Sequence, residues 1–240
     1  MKERFLRLYQ NAERENNRVF LDFLEPTSSA RVLDLGCGDG SFTLQIGKRI
    51  GGSFLFGAEG QKNAVEVCAQ RGIKAICVDL NNRIPFKDET FDVVCASQVI
   101  EHLRYTDVFV KEVYRLLKPG GYAVFSTPNL AVWHNFLGIF LGWQLWGTAV
   151  SDEVVLGNPL QVGYMQPELT PDQGFAHTRL FTYISLKEFL EYHKFRIEKI
   201  SGVGYFPLPT PIAKVLSKVD PRHSLLITAK VRKIANKKHK

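Results

Sequence analysis

The sequence predicts one α/β domain built on a largely parallel sheet with helices on both faces. Three observations support that fold class. Short apolar runs alternate with segments of helical spacing along most of the chain. The runs lack the polar alternation of a half-exposed sheet, which predicts strands covered on both faces. A glycine-rich turn also joins the first run directly to a helical segment. At 240 residues, with 45% hydrophobic and 23% charged residues, the chain can bury one sizeable core.

Taken in order, Phe5–Leu24 reads as an amphipathic helix packed on the sheet. Strands are expected at Arg31–Leu35, Phe54–Ala58, Ile73–Asp79, Phe91–Ser97 and Tyr122–Ser126. Ser41–Ile50, Gln61–Gln70 and Tyr105–Leu117 carry helical spacing, and Lys118-Pro119-Gly120-Gly121 reads as a helix stop. After Asn129 the regularity lapses for about 55 residues, too long for an ordinary connection, before Ser185–His193 resumes as a helix. Two more strands, Arg196–Val203 and Leu225–Lys233, are separated by the proline-rich Phe206–Pro211 and a short helix, Ile212–Lys218. The domain therefore divides into an N-terminal helix (1–29), a core (30–129), an insertion (130–184) and a C-terminal part ending in a basic tail (185–240).

Lys and Arg number 31 against 24 acids, a net charge of +7. Seven of those cations and no acid fall between Pro221 and Lys240, so the body is predicted to be neutral and the tail basic. That distribution argues against a nucleic-acid-binding face on the core. The four cysteines form no C-x-x-C pair, and two lie inside apolar runs. Neither a zinc ribbon nor a secreted disulfide framework fits, and a reducing, cytoplasmic setting is expected. The N-terminus is too charged to be a signal peptide.

Val32-Leu33-Asp34-Leu35-Gly36-Cys37-Gly38-Asp39-Gly40 places its turn where a nucleotide-type ligand meets the carboxyl edge of an α/β sheet. Gly36 and Gly38 let the backbone turn tightly and approach a ligand. The small Ser41 in the third position of a dinucleotide fingerprint leaves NAD open. Asp34 and Asp39 argue the other way, because two carboxylates beside the turn repel a pyrophosphate and suit an ammonium group. Glu59 stands 21 residues past Gly38, where an acid accepts ribose hydroxyls. Asp79 and Leu80 can pair an adenine amino group and cover its ring. A nucleoside bearing an amino acid meets all these demands, and S-adenosyl-L-methionine is such a molecule.

The order VLDLGCGDG, Glu59, VDL (78–80), FDVVCASQVIEHL (91–103) and RLLKPGGYAVFSTPN (115–129) resembles the class I S-adenosylmethionine-dependent methyltransferases. The branch it resembles includes the ubiquinone-biosynthesis O-methyltransferases and the methionine-biosynthesis W protein. The resemblance implies a Rossmann-like, seven-stranded, mostly parallel sheet with a reversed last hairpin, in which the strand from Leu225 runs antiparallel between two others. Carried over, it implies that Asp34, Gly36 and Gly38 face the methionine part of the cofactor and that Glu59 holds the ribose. Asp79 and Leu80 would frame the adenine, with Ser97 and Gln98 beside the sulfonium.

Methyl transfer from a sulfonium is an in-line displacement, so the protein chiefly aligns the nucleophile and excludes water. His102 and His177 are the candidate general bases for a hydroxyl or amine acceptor. Metal-dependent relatives carry an acid ahead of the Glu101-His102 pair and a downstream histidine. Gln98 stands in place of that acid here, so no metal is expected. From Asn129 to Ser151 there is no Asp, Glu, Lys or Arg, and all three tryptophans fall in this stretch. Trp133, Phe136, Phe140 and Trp143 step along one predicted helical face, which reads as a lid over an apolar or aromatic small-molecule acceptor. No transmembrane span is expected, though apolar helix and basic tail together would suit peripheral membrane contact. Two alternatives stand beside this reading, an RNA methyltransferase and a non-catalytic S-adenosylmethionine-binding partner protein.

Overall fold

The computed structural model describes residues 2–52, 54–151, 154–159, 161 and 177–234. Its seven strands are β1 (Arg31–Leu35), β2 (Phe54–Glu59), β3 (Lys74–Cys77), β4 (Phe91–Ser97), β5 (Leu117–Pro128), β6 (Phe195–Val203) and β7 (Leu226–Lys233). They form one sheet in the order β3-β2-β1-β4-β5-β7-β6. All neighbours are parallel except β7, which is antiparallel to both β5 and β6. The reversed last hairpin is therefore present as expected. Strand order changes direction between β1 and β4, and ligands of α/β sheets bind in the crevice at the carboxyl ends of such a pair.

Helices cover both faces. α1 (Lys2–Asp22) and α2 (Ser41–Ile50) close one side, where Phe20, Ile46 and Ile50 pack on Val32, Val93 and Val124. On the other side Phe109, Val113 and Leu116 of α4 (Thr106–Leu116) meet Leu33, Val94 and Phe125, and Leu186 and Leu190 of α6 (Tyr183–Tyr192) join the same core. The remaining helices are α3 (Lys62–Gln70), α5 (Trp133–Phe140) and α7 (Thr210–Val219). α2 starts after Gly40 and stops at Gly51, both left-handed, and the Gly51 N–H donates to the Gly47 carbonyl.

Four sequence expectations are corrected. The third strand ends at Cys77, two residues before Asp79. The expected helix stop at Lys118-Pro119-Gly120-Gly121 lies inside β5, whose pairing with β4 shifts register between Phe91 and Val93. The helix in the insertion ends at Phe140, so Trp143 lies beyond it and the four-aromatic face does not form. The buried face of α5 is instead His134, Asn135 and Gly138, while Phe136 and Phe140 point outward, 59% and 86% exposed. Polar bonding explains the inversion. Asn135 donates to the Leu130 carbonyl and accepts from the Trp146 N–H, and His134 Nδ1 meets the Phe206 carbonyl.

The basic tail is the fourth correction, in its charge alone, since a strand was expected at Leu225–Lys233. Lys230, Arg232 and Lys233 belong to β7, an interior strand, and each is paired. Buried Lys230 contacts Glu25 and sits over the Tyr122 ring, Arg232 grips Glu198 and Glu25, and Lys233 donates to the Leu117 carbonyl and Glu89. Lys237, Lys238 and Lys240 lie outside the described residues, as does much of the insertion.

Candidate cofactor and acceptor site

Asp34 sits near the end of β1, 3% exposed, and accepts a 2.6 Å hydrogen bond from the Thr43 hydroxyl. Burial raises its pKa to about 7 against the pull of Thr43, and the Glu59 charge adds to the rise. Such a carboxyl is ready to ionise beside an arriving ammonium. Gly36 follows at φ +73° and donates its N–H to Ala58, and a Cβ there would meet Val99 Cγ2 at 2.4 Å. Gly38 has φ +51°, and a Cβ there would meet nothing within 4 Å. The loop thus rests on Val99 at one glycine and faces open space at the other, a cradle into which a ligand can come against bare backbone.

Glu59 closes that cradle. Its Oε2 accepts from the Gly38 N–H at 3.0 Å, and Oε1 accepts from the N–H groups of Gly60 and Gln61. A carboxylate offers about four acceptor positions, so capacity remains for a ribose hydroxyl. Asp79 is exposed and holds its own turn, accepting from Asn81 and Asn82 side chains and from the Asn81 N–H. Leu80 is buried in the core beside Ala58 and Val99, beneath the crevice.

Ser97 and Gln98 lie at the carboxyl end of β4. Gln98 is held at φ +56° and donates through Nε2 to Ser126 Oγ at 2.7 Å, and Ser97 Oγ lies 3.4 Å from the same oxygen. From the opposite side Asn16 of α1 donates to Ser126 Oγ and accepts from Thr228, so one polar floor joins α1, β4, β5 and β7. About two turns earlier on α1, Tyr9 packs its ring 5.7 Å from Trp146, and Trp146 lies 5.0 Å from Phe206. Sequence reading treated α1 as packing alone. The signal that could have found it is the polar stripe Tyr9, Glu13 and Asn16 at spacings of four and three.

The structure brings together His102, His177 and Glu101, whose ligand atoms all lie within 4.8 Å of one another. Glu101 is fully buried, accepts from Thr127 Oγ1 at 3.0 Å, and is pushed by burial to a pKa of about 8. Among the described residues its Oε1 accepts no hydrogen bond and lies 3.9 Å from His102 Nε2. Burial, reinforced by His102, lowers His177 to about 4, although its Nδ1 meets the Gly147 carbonyl at 2.9 Å. A neutral imidazole whose Nδ1 donates leaves Nε2 as an acceptor. Gln98 takes no part in this group, being turned to Ser126.

Comparison with known proteins fits this geometry. Residues 33–125 match the methyltransferase-domain family. The ubiquinone biosynthesis O-methyltransferase of Mus musculus is 27% identical over 194 residues, covering 76% of this chain and 46% of that protein. Demethylmenaquinone methyltransferase of Streptomyces griseus is 32% identical over 93 residues, 38% of this chain and 40% of its own. The chain thus spans about half the length of the curated relatives it matches. Among solved structures, an S-adenosylmethionine-dependent methyltransferase from Mesorhizobium loti superposes with a TM-score of 0.60 at 17% identity, covering 92% of this chain and 97% of its own. Sheet order and glycine cradle match the fold of class I S-adenosylmethionine-dependent methyltransferases, and the methyltransferase-domain match lies over the strands and loop that build the cradle. In sequence the chain resembles the ubiquinone-biosynthesis O-methyltransferases, and S-adenosyl-L-methionine is the cofactor that the matched domain and the shared fold imply.

Proposed function

We propose that this protein methylates a small, apolar or aromatic acceptor by direct in-line transfer from S-adenosylmethionine. The observation that carries the proposal is the junction at Ser126. The residues that would flank the sulfonium, Ser97 and Gln98, share that hydroxyl with Asn16, which stands about two turns along α1 from Tyr9 and the rings of Trp146 and Phe206. When bound, the cofactor supplies an electrophilic methyl group. Asp34 would receive its ammonium, Glu59 its ribose, Gly36 and Gly38 its backbone approach, and Asp79 with Leu80 its adenine. The rings of Tyr9, Trp146 and Phe206 exclude water from the acceptor side, and His102 or His177 takes the proton of the acceptor hydroxyl. The relatives named as O-methyltransferases support oxygen as the methylated atom.

The test is calorimetry with S-adenosylhomocysteine followed by transfer of labelled methyl to a panel of phenols. Binding with transfer supports the proposal. Binding without transfer favours the non-catalytic partner reading, and salt-sensitive transfer to RNA favours the RNA enzyme. The pairing of Lys230, Arg232 and Lys233 with acids counts against an RNA face there. Among the described residues no helix is long and apolar enough to cross a membrane. The four free cysteines support a reducing, cytoplasmic setting.

A second reading is favoured by Glu101 Oε1, which accepts no hydrogen bond among the described residues and lies beside two imidazoles, a donor set able to hold a divalent cation. Transfer that persists undiminished in excess chelator rejects it.

A further inference from the structure

We propose that the carboxylate of Glu13, on α1, recognises the acceptor by taking a hydrogen bond from one of its hydroxyl groups. The inference rests on the methyl-transfer reading above and deepens it by naming a residue of α1 that would hold the acceptor. Three observations carry it.

The first is position. Tyr9, Glu13 and Asn16 fall on one stripe of α1, four and three residues apart. Both ends of the stripe are fixed at the site, Tyr9 by the rings of Trp146 and Phe206 and Asn16 by Ser126 and Thr228. At about 1.5 Å rise per residue, Glu13 stands roughly 4.5 Å along the helix from Asn16 and roughly 6 Å from Tyr9. It therefore lies between the aromatic wall and the floor where the methyl would be delivered.

The second is the bonding of the carboxylate. Glu13 is an exposed residue overall, while its carboxylate is crowded by neighbouring atoms and bonded by the Tyr9 hydroxyl. Among the described residues it makes no ion pair, whereas Glu15, two residues on, is held by both Arg18 and Lys214. A carboxylate with one neutral donor keeps most of its acceptor capacity.

The third is the surrounding charge. Burial among neighbouring atoms raises the Glu13 pKa, opposed by the Tyr9 hydrogen bond. No described Lys or Arg pairs with Glu13, which disfavours an anionic acceptor and suits a neutral hydroxyl donor.

The test uses the full chain loaded with S-adenosylhomocysteine, titrated calorimetrically with catechol and with veratrole, its dimethyl ether. Catechol is expected to bind the natural protein and to bind Glu13→Gln about tenfold or more weakly. Veratrole, which has no hydroxyl to donate, is expected to bind both proteins alike. S-adenosylhomocysteine affinity should be equal in the two proteins, which also reports an intact fold. Equal catechol affinity in the variant, or no catechol binding by the loaded natural protein, overturns the assignment of Glu13 while leaving the cofactor site standing. Failure of the natural protein to bind S-adenosylhomocysteine at all overturns the methyl-transfer reading and this inference with it.

Discussion

Gly36 and Gly38 both hold positive φ, yet their substitution by alanine is expected to do different things. At Gly36 the new methyl would collide with Val99, so Gly36→Ala should lose about 1–3 kcal/mol of stability, read by urea unfolding, as well as cofactor binding. At Gly38 nothing is in the way, so Gly38→Ala should lose only about 1 kcal/mol from backbone strain. Its S-adenosylhomocysteine affinity should fall far more, because the methyl occupies the approach the ligand needs. Asp34 adds a pH dependence. Its pKa near 7 means it is protonated below neutrality, and a ligand ammonium favours the ionised form, so binding should release a proton. Affinity should rise with pH up to about 7 and level off above it. Calorimetry at pH 6 in two buffers of different ionisation enthalpy measures that proton. For folding the sign is opposite, since a raised carboxyl pKa costs the native state progressively between the unfolded value near 4 and about 7. Asp34→Asn should therefore gain stability relative to the natural protein across that window and be flat beyond it, while binding cofactor poorly.

At the scale of single elements, α5 shows why an apolar pattern is not a packing direction. Its aromatics were legible in sequence, but the inward face was set by Asn135 and His134, whose partners at Leu130, Trp146 and Phe206 no helical periodicity reveals. Asn135→Ala should cost about 1–3 kcal/mol by leaving the buried Trp146 N–H without its acceptor. Phe140→Ser, at a position 86% exposed, should shift stability by no more than about 0.5 kcal/mol. Helix α1 gives the same lesson. Asp34, Glu59 and the glycine loop were readable because their partners are close in sequence or fixed by one βαβ unit. Asn16 was not, because its partners Ser126 and Thr228 stand 110 and 212 residues away. Asn16→Ala should destabilise the protein by about 1–3 kcal/mol and loosen the acceptor side, seen as faster amide exchange in α1.

For the whole molecule, strand order followed from alternation of elements and the resemblance, and β1, β4 and α2 fall on the residues expected. The charge map did not follow. A run of cations at the end of a sequence reads as a solvated tail, yet burial between β5 and β6 turned three of them into partners of Glu25, Glu198 and Glu89. Pairing across such distances is a property of the assembled sheet and leaves no local mark.

The contact between Asn16 and Thr228 also orders events on the ribosome. Every strand of the cofactor half has been synthesised once Pro128 is made, whereas Asn16 of the first helix gains its partner Thr228 only when the last strand is made. A growing polypeptide should therefore be able to grip the methyl donor well before it can hold anything to receive the methyl, and the receiving side is assembled last.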